Sequence, residues 1–400
     1  MSRRADIAVG LDVGSAWTRV FVLLVEGGVM RHAGHGAVHS RGWHKGQIQD
    51  QNAVAESIRE AMLAARESSG YDIGSAVVGV GGPTVRSQQG RGVYDFGHPR
   101  RITREDLAYA VKLAALAPLE EDRVLLQVLP QDFTVDGQPP TLHPLNVECL
   151  RLEAHALLIT VGAQEHQTLL SAVQQARIDV EETVFEAMAA SYASVLGEER
   201  AGGAAILDLG AHSSGIVYYD GDLALFAIGM PFSGEHFTRD ISEVKALSLE
   251  ESEDVKMKHG CALLGLTADN IVIELPPAPG RPGRELSRRD LIEILEARAT
   301  QIFQYVERFR VDYARQLSLH EGLVLCGGAT QMEGLVEVSE LVLGCQSRLG
   351  FIRGVDQIPD EIATPEWTTV AGLAMYSAKL QQRKTRTPGP RLLNLFSPRG

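Results

Sequence analysis

Apolar and polar positions divide the chain into short apolar runs punctuated by small-residue turns, with helical stretches between them. Residues 6–28, DIAVGLDVGSAWTRVFVLLVEGG, hold two apolar runs joined by Asp12-Val-Gly-Ser-Ala and closed by Gly27-Gly28, which predicts two strands and a hairpin turn. Asn52 is the expected cap of a helix in which Val54, Ile58 and Met62 recur on one face and which Gly70 stops. SAVVGVGG (75–82) reads as a short buried strand that completes a β-β-β-α-β unit.

The character changes over 83–163. Thr103 with Asp106 three residues on forms a variant capping box at the head of a helix, and strand-like runs follow at 123–130 and 153–161. This stretch is expected to be an inserted α+β subdomain. Helical patterns are expected at 166–176 and 181–197. AILDLGAHSSGIVYY (204–218) is then strand, turn and strand, and Asp220-Gly221 signals a further hairpin. A charged helix is expected over 247–260 and a long one over 287–316, preceded by the Pro/Gly-rich loop LPPAPGRPGREL. GLVLCGGATQMEGLVEVSEL (322–341) reads as a buried strand, a Gly-Gly turn and a helix.

One pattern repeats. Both 6–28 and 202–226 run apolar strand, Asp, Gly, small or hydroxylated turn, apolar strand. Two such turns facing each other can hold phosphates through backbone N–H groups, with Asp12 and Asp208 near a hydrated Mg²⁺. Gly14 and Gly210 let the backbone approach closely. Gly327 and Gly328 offer a third bare stretch of backbone suited to a nucleoside or its first phosphate.

Composition narrows the class. At 400 residues and 44% hydrophobic content the chain exceeds the ~250–300 residues at which single cores stop growing, so more than one core is expected. A net charge of −13 argues against nucleic acid as a partner. Cys149, Cys261, Cys326 and Cys345 form no CxxC pair, which suits free thiols. No apolar run reaches the ~20 residues of a membrane span.

GLDVGSAWTRVFVL, AILDLGAHSSGIVYY and VLCGGATQMEGL resemble the two phosphate motifs and the adenosine motif of the actin, heat-shock chaperone and sugar-kinase superfamily. VLPQDFTVDGQ with HPLNVECLRLEAHALLIT resembles the 1C subdomain of the FtsA family, the bacterial cell-division actin homologues, and PFSGEHFTRDIS resembles a helix start of that family. The resemblance covers nearly the whole chain. It implies an α/β fold of duplicated actin-like (ribonuclease H-like) domains flanking a nucleotide cleft, with an inserted α+β 1C-type subdomain. The corresponding division is subdomain 1A at 1–82 and 164–200, 1C at 83–163, 2A at 201–246 and 318–363, and 2B at 247–317. A closing helix at 364–380, a linker at 381–390 and an amphipathic tip at 391–400 complete it.

The resemblance also implies ATP with Mg²⁺ as ligands. It places Asp12, Gly14, Ser15, Thr18, Asp208, Gly210, His212, Ser213, Ser214, Gly234, Glu253, Lys256, Gly327, Gly328 and Met332 at the nucleotide. The chain departs from the family pattern at His212, which replaces a glycine, at Gly215, which replaces an acid, at Arg19, which replaces a lysine, and at Asn146-Val147-Glu148. With Asp12 and Asp208 the only candidates for placing metal and water, weak or negligible hydrolysis is expected.

QQRKTRTPGPRLLNLFSPRG has five basic residues and no acid. As a helix its tip brings Leu392, Leu393, Leu395 and Phe396 toward one side, flanked by Arg391, and resembles a membrane-targeting segment for anionic lipid. The family reading then implies a polymer at the cytoplasmic face of the inner membrane, at the division site. It would bind the C-terminal tail of FtsZ through subdomain 2B and later divisome proteins through the 1C-type subdomain. Arg281, Arg284, Arg288 and Arg289 are candidates for an acidic tail. The alternatives are a PilM-like scaffold of a pilus or secretion machine, and a metabolite kinase of the same superfamily.

Overall fold

The computed structural model describes residues 6–267, 271–275, 283–313 and 319–386. Its first lobe opens with strands β1 (Asp6–Val13), β2 (Trp17–Glu26) and β3 (Val29–His39), a two-residue ribbon β4 (Trp43–His44) and β5 (Gln47–Ile48), helix α1 (Gln51–Ser69) and strand β6 (Ser75–Val80). Val54, Ile58, Ala61, Met62 and Ala65 bury the inner face of α1. Full burial of a side chain such as Ile58 stabilises by roughly 1.5–3 kcal/mol. Gly70 ends the helix at φ +72°, a left-handed position that glycine adopts without penalty. The cap at the other end is Asp50, not Asn52: its carboxylate accepts from the N–H groups of Asn52 and Ala53 at 2.9 and 3.1 Å.

The inserted region holds β7 (Arg86–Arg101), α2 (Arg104–Ala114), β8 (Arg123–Val135) and β9 (Glu148–Gly162), with strand order β7-β9-β8 and a small core of its own around Phe96, Val111 and Leu152. Thr103 and Asp106 form the expected capping box. The chain returns through α3 (Ala163–Gln175), β10 (Asp179–Phe185) and α4 (Glu186–Ser194). The stretch 181–197 is therefore not one helix. Residues 181–185 are strand because they lie alongside β6, to which β10 pairs in parallel.

The second lobe comprises α5 (Gly197–Gly202), β11 (Ala204–Leu209), β12 (Ser214–Asp220), β13 (Leu223–Gly229), α6 (Gly234–Lys245), α7 (Leu249–His259), β14 (Val272–Leu275), β15 (Arg284–Ser287), α8 (Arg288–Tyr313), β16 (Gly322–Cys326), α9 (Leu335–Leu343) and β17 (Ser347–Leu349). The β12–β13 turn is centred on Gly221 and Asp222, both at positive φ, one residue later than the Asp-Gly signal suggests. Helix α10 (Thr368–Arg386) packs back on β1 and α4, and it extends through 381–386, where the sequence suggests a linker.

The two main sheets repeat one plan. Their orders are β3-β2-β1-β6-β10 and β13-β12-β11-β16-β17, each an antiparallel three-strand meander followed by two parallel strands. This is a duplicated actin-like α/β fold. The inserted sheet rests on β13: Ala227 N–H donates to Ser87 Oγ at 3.1 Å, Gly229 N–H to the Val85 carbonyl at 2.9 Å, and Gln131 Nε2 to the Ala224 carbonyl at 3.0 Å. All four cysteines are free thiols. Among the described residues no helix is long and apolar enough to cross a membrane.

Candidate functional site

The sheet plan sets the β1–β2 and β11–β12 turns against each other between the lobes. Asp12 pairs with Arg19 and Val13 with Thr18 across the first hairpin, while Asp208 pairs with Gly215 and Leu209 with Ser214 across the second. Gly210 N–H closes the second turn onto the Ser213 carbonyl at 2.9 Å. Between the turns lies a cavity of ≈ 500 Å³. Asp12, Gly14, Ser15, Asp208, Gly210, Ser213, Gly234, Glu253, Lys256, Gly327, Gly328 and Met332 all line it.

Three residues expected at the cavity do not line it. Side chains alternate along a strand, so Thr18, between the cavity-lining Trp17 and Arg19, turns the other way; it is fully buried and shares a hydrogen bond of 2.8 Å with Ser40. Ser214, next to the lining Ser213, is likewise buried, and its hydroxyl donates to the Phe232 carbonyl. His212 stands at the rim between the lobes. Its Nδ1 is 2.9 Å from Ser15 Oγ and its Nε2 3.2 Å from Glu235 Oε2.

The cavity floor is acidic. Burial pushes the Asp12 carboxyl up to about 7; Arg19 pulls it down and Asp208 adds to the push. Glu186 is held well above the usual carboxylate range, first by burial and then by Asp12 and Asp208, with a smaller opposing effect from Ser213. Burial also raises Asp208, against the Thr369 hydroxyl, which donates to it at 2.7 Å, and Arg19. Arg19 is the basic group at this end. It donates to Glu366 at 2.6 Å, with its guanidinium 5.7 Å from the Trp17 ring centre and 5.6 Å from that of Trp367.

The far wall is built from α6, α7 and the turn after β16. Lys256 Nζ donates to Glu253 at 2.7 Å, to Thr238 Oγ1 at 2.8 Å and to the Gly234 carbonyl at 3.3 Å. The first N–H groups of α6 are already used: Gly234 N–H donates to the Gly210 carbonyl and Glu235 N–H to that of Ala211, both at 2.8 Å. Residues 328–331 form a single 3-10 turn, with α9 starting only at Leu335. Gly327 has φ +89°, and a Cβ there would lie 2.5 Å from Asp208 Oδ1.

Glu186, Glu366, Thr369 and Glu235 were not legible as site residues. Glu186 sits at the junction of β10 and α4, and reading 181–197 as one helix hides that junction. The available signal was a lone acid ahead of the small-residue run AMAASYAS. Gly215 also gains a physical reason: a Cβ there would meet the Phe185 ring at 2.5 Å, so packing against β10 excludes a side chain. Among the candidate arginines, Arg289 pairs with Glu293 at 3.1 Å and Arg288 lies 3.7 Å from Glu333. Arg281 and the tip residues Arg391, Leu392, Leu393, Leu395 and Phe396 lie outside the described residues.

Duplicated sheets enclosing an acidic cavity define a protein of the actin-like class. Solved structures agree on the fold: the PilM-PilN type IV pilus biogenesis complex aligns at TM-score 0.65 and 19% identity, covering 92% of this chain and 98% of that one. MreB 5 of Spiroplasma citri bound to AMPPNP aligns at TM-score 0.55 and 12% identity, covering 95% and 98%. The family model described as "Cell division protein FtsA" matches residues 205–372, and that described as "SHS2 domain inserted in FTSA" matches residues 82–160. The cell division protein FtsA of Pseudomonas aeruginosa is 29% identical, over 93% of this chain and 89% of its own. That of Escherichia coli K12 is 27% identical, over 98% and 97%. The chain belongs to the FtsA family, and it is an actin-like cell-division protein.

Proposed function

We propose that the chain binds ATP with Mg²⁺ in the cavity between its lobes, polymerises, and tethers the FtsZ ring to the cytoplasmic face of the inner membrane at the division site. The observation that carries this reading is the pair of Asp-bearing hairpins facing one cavity, with the bare backbone of Gly327 and Gly328 on its far side. Hairpin N–H groups and small side chains suit a polyphosphate, and the half-buried Asp12 and Glu186 with the buried Asp208 supply negative charge that a divalent cation would offset. Among the described residues no three acids, histidines or cysteines converge as a direct ligand set, so the fit is to a hydrated Mg²⁺ held through water. The cation would neutralise phosphate charge. Asp12, Asp208 and Glu186 would orient its waters, Arg19 would balance the acids, and Glu253 and Lys256 would face the nucleoside.

Membrane attachment rests on the basic, acid-free sequence 381–400, with single weak contacts multiplied by polymer avidity. The FtsZ tail is assigned to subdomain 2B and later divisome proteins to the inserted subdomain. Hydrolysis is expected to be weak, with nucleotide acting as an assembly ligand. The test is ATP-dependent co-sedimentation with anionic vesicles, with and without FtsZ. Binding to vesicles lost on deletion of 391–400, and FtsZ recruited only by the full chain, support the reading. Pelleting unchanged by the deletion overturns the anchor. A pilus-type scaffold shares the fold and predicts neither vesicle binding nor FtsZ recruitment.

A further inference from the structure

His212 is where the second turn departs most from a glycine-rich pattern, and its ring joins the two lobes. On one side it meets Ser15 of the first hairpin, on the other Glu235 at the start of α6. Glu235 is itself held by Arg239, whose Nη2 donates to it at 2.8 Å. Behind the histidine lies Gly46 of the β4–β5 turn, where an added Cβ would sit 3.2 Å from His212 Cβ. The ring is thus oriented from three directions, and its own backbone is not at positive φ.

The chemistry of this chain of contacts has a direction. A carboxylate has no proton to give, so Glu235 Oε2, 3.2 Å from His212 Nε2, favours the tautomer that carries its proton on Nε2, and that tautomer leaves Nδ1 as an acceptor. The Ser15 hydroxyl then donates to Nδ1 at 2.9 Å. A serine has one hydroxyl proton. While it points at His212, Ser15 presents only lone pairs to the cavity that it lines, and lone pairs repel phosphate oxygens.

We infer that His212 is a positioning residue that withholds the Ser15 hydroxyl from a polyphosphate in the cavity, so that phosphate binding must break the Ser15–His212 bond. This rests on the nucleotide reading above and adds to it a built-in competitor for the phosphate. Removing the imidazole frees the Ser15 proton for a charged acceptor, a bond stronger than the one it replaces.

The experiment is calorimetric titration of Mg·ATP and Mg·ADP into the full chain, as wild type, Ser15→Ala, His212→Ala and the double variant. Thermal melting confirms folding, and His212→Gly is the second replacement at that position. His212→Ala is expected to tighten ATP binding about tenfold, and that gain is expected to vanish in the Ser15→Ala background, where the double variant binds like Ser15→Ala alone. A merely structural histidine would give neither the gain nor its dependence on Ser15. No gain from either His212 replacement, or an equal loss from Ser15→Ala with and without the histidine, overturns the inference while leaving the nucleotide reading intact. Binding of neither nucleotide to any folded variant overturns both.

Discussion

The Thr369 hydroxyl donates to the Asp208 carboxylate at 2.7 Å, tying the first turn of α10 to the end of β11. Helix α10 packs on the first lobe, and Asp208 belongs to the second, so the bond spans the two halves of the duplicated fold. Both groups are buried.

Thr369→Val keeps the shape and deletes the donor, leaving a buried acceptor short of one partner. The expected cost is about 1–3 kcal/mol, read as a lower melting temperature, with Thr369→Ser close to wild type. Equal melting of Val and wild-type proteins would show that Asp208 is satisfied elsewhere.

Glu186 carries the second prediction. It shares the cavity floor with Asp12 and Asp208, and after burial these two acids are what oppose its ionisation. Glu186→Gln removes the ionisable carboxyl at nearly constant volume. The nucleotide-free protein is expected to melt higher near neutral pH, because the folded state no longer holds an acid whose ionisation its burial and the neighbouring acids oppose. Its stabilisation by Mg·ATP is expected to shrink, and any hydrolysis to drop by about 10²-fold or more. Melting curves with and without Mg·ATP, together with phosphate release, check both directions.

Asp106 sets an acid limit on the inserted subdomain. Two nitrogens of Arg100 reach its oxygens at 2.7 and 2.5 Å, and the Thr103 N–H and hydroxyl donate to it at 2.9 and 2.7 Å. Arg100 beside it, ahead of the Thr103 bonds, lowers its carboxyl to about 2, against burial. A folded value below the unfolded one means stability that is complete above about 4 and lost as pH falls toward 2. The stake is on the order of 2 kcal/mol. Asp106→Asn is expected to weaken hydrogen-exchange protection of α2 at pH 7 and to make it nearly flat between pH 5 and 2. An unchanged acid limb would reject the assignment.

What was legible in the sequence followed turn chemistry. Asp12-Val-Gly14 and Asp208-Leu-Gly210 announce their hairpins because glycine, aspartate and small residues act locally. The Thr103–Asp106 box likewise needs only four consecutive residues. The misreadings arose where distant pairing decides. Residues 181–185 carry no Gly or Pro to separate them from α4, and only β6 alongside makes them strand. Without that junction Glu186 could not be placed, and without its neighbour Phe185 the glycine at 215 looked like a lost acid. Thr18 and Ser214 were misplaced for a simpler reason: residue type suggested phosphate, whereas strand alternation turns them inward.

Gly327 gives the sharpest test of how closely the cavity walls approach. It follows β16 at φ +89°, a region that side chains rarely adopt, and a Cβ would fall 2.5 Å from both Asp208 Oδ1 and the Leu209 carbonyl oxygen. Backbone strain and steric conflict therefore act together, and neither neighbour yields easily: Asp208 is held by Thr369, and Leu209 is paired in β11. Gly327→Ala is expected to destabilise by about 1–3 kcal/mol. Because relief requires Asp208 to move, nucleotide affinity should fall more than stability alone explains. Gly328→Ala supplies the control. Its added Cβ would have nothing nearer than the Glu366 side chain at 3.8 Å, and its φ is not in the positive range. Melting temperature and Mg·ATP affinity measured on both variants separate the two positions. If Gly327→Ala and Gly328→Ala behave alike in both measurements, the close approach of this turn to Asp208 is not what shapes the cavity.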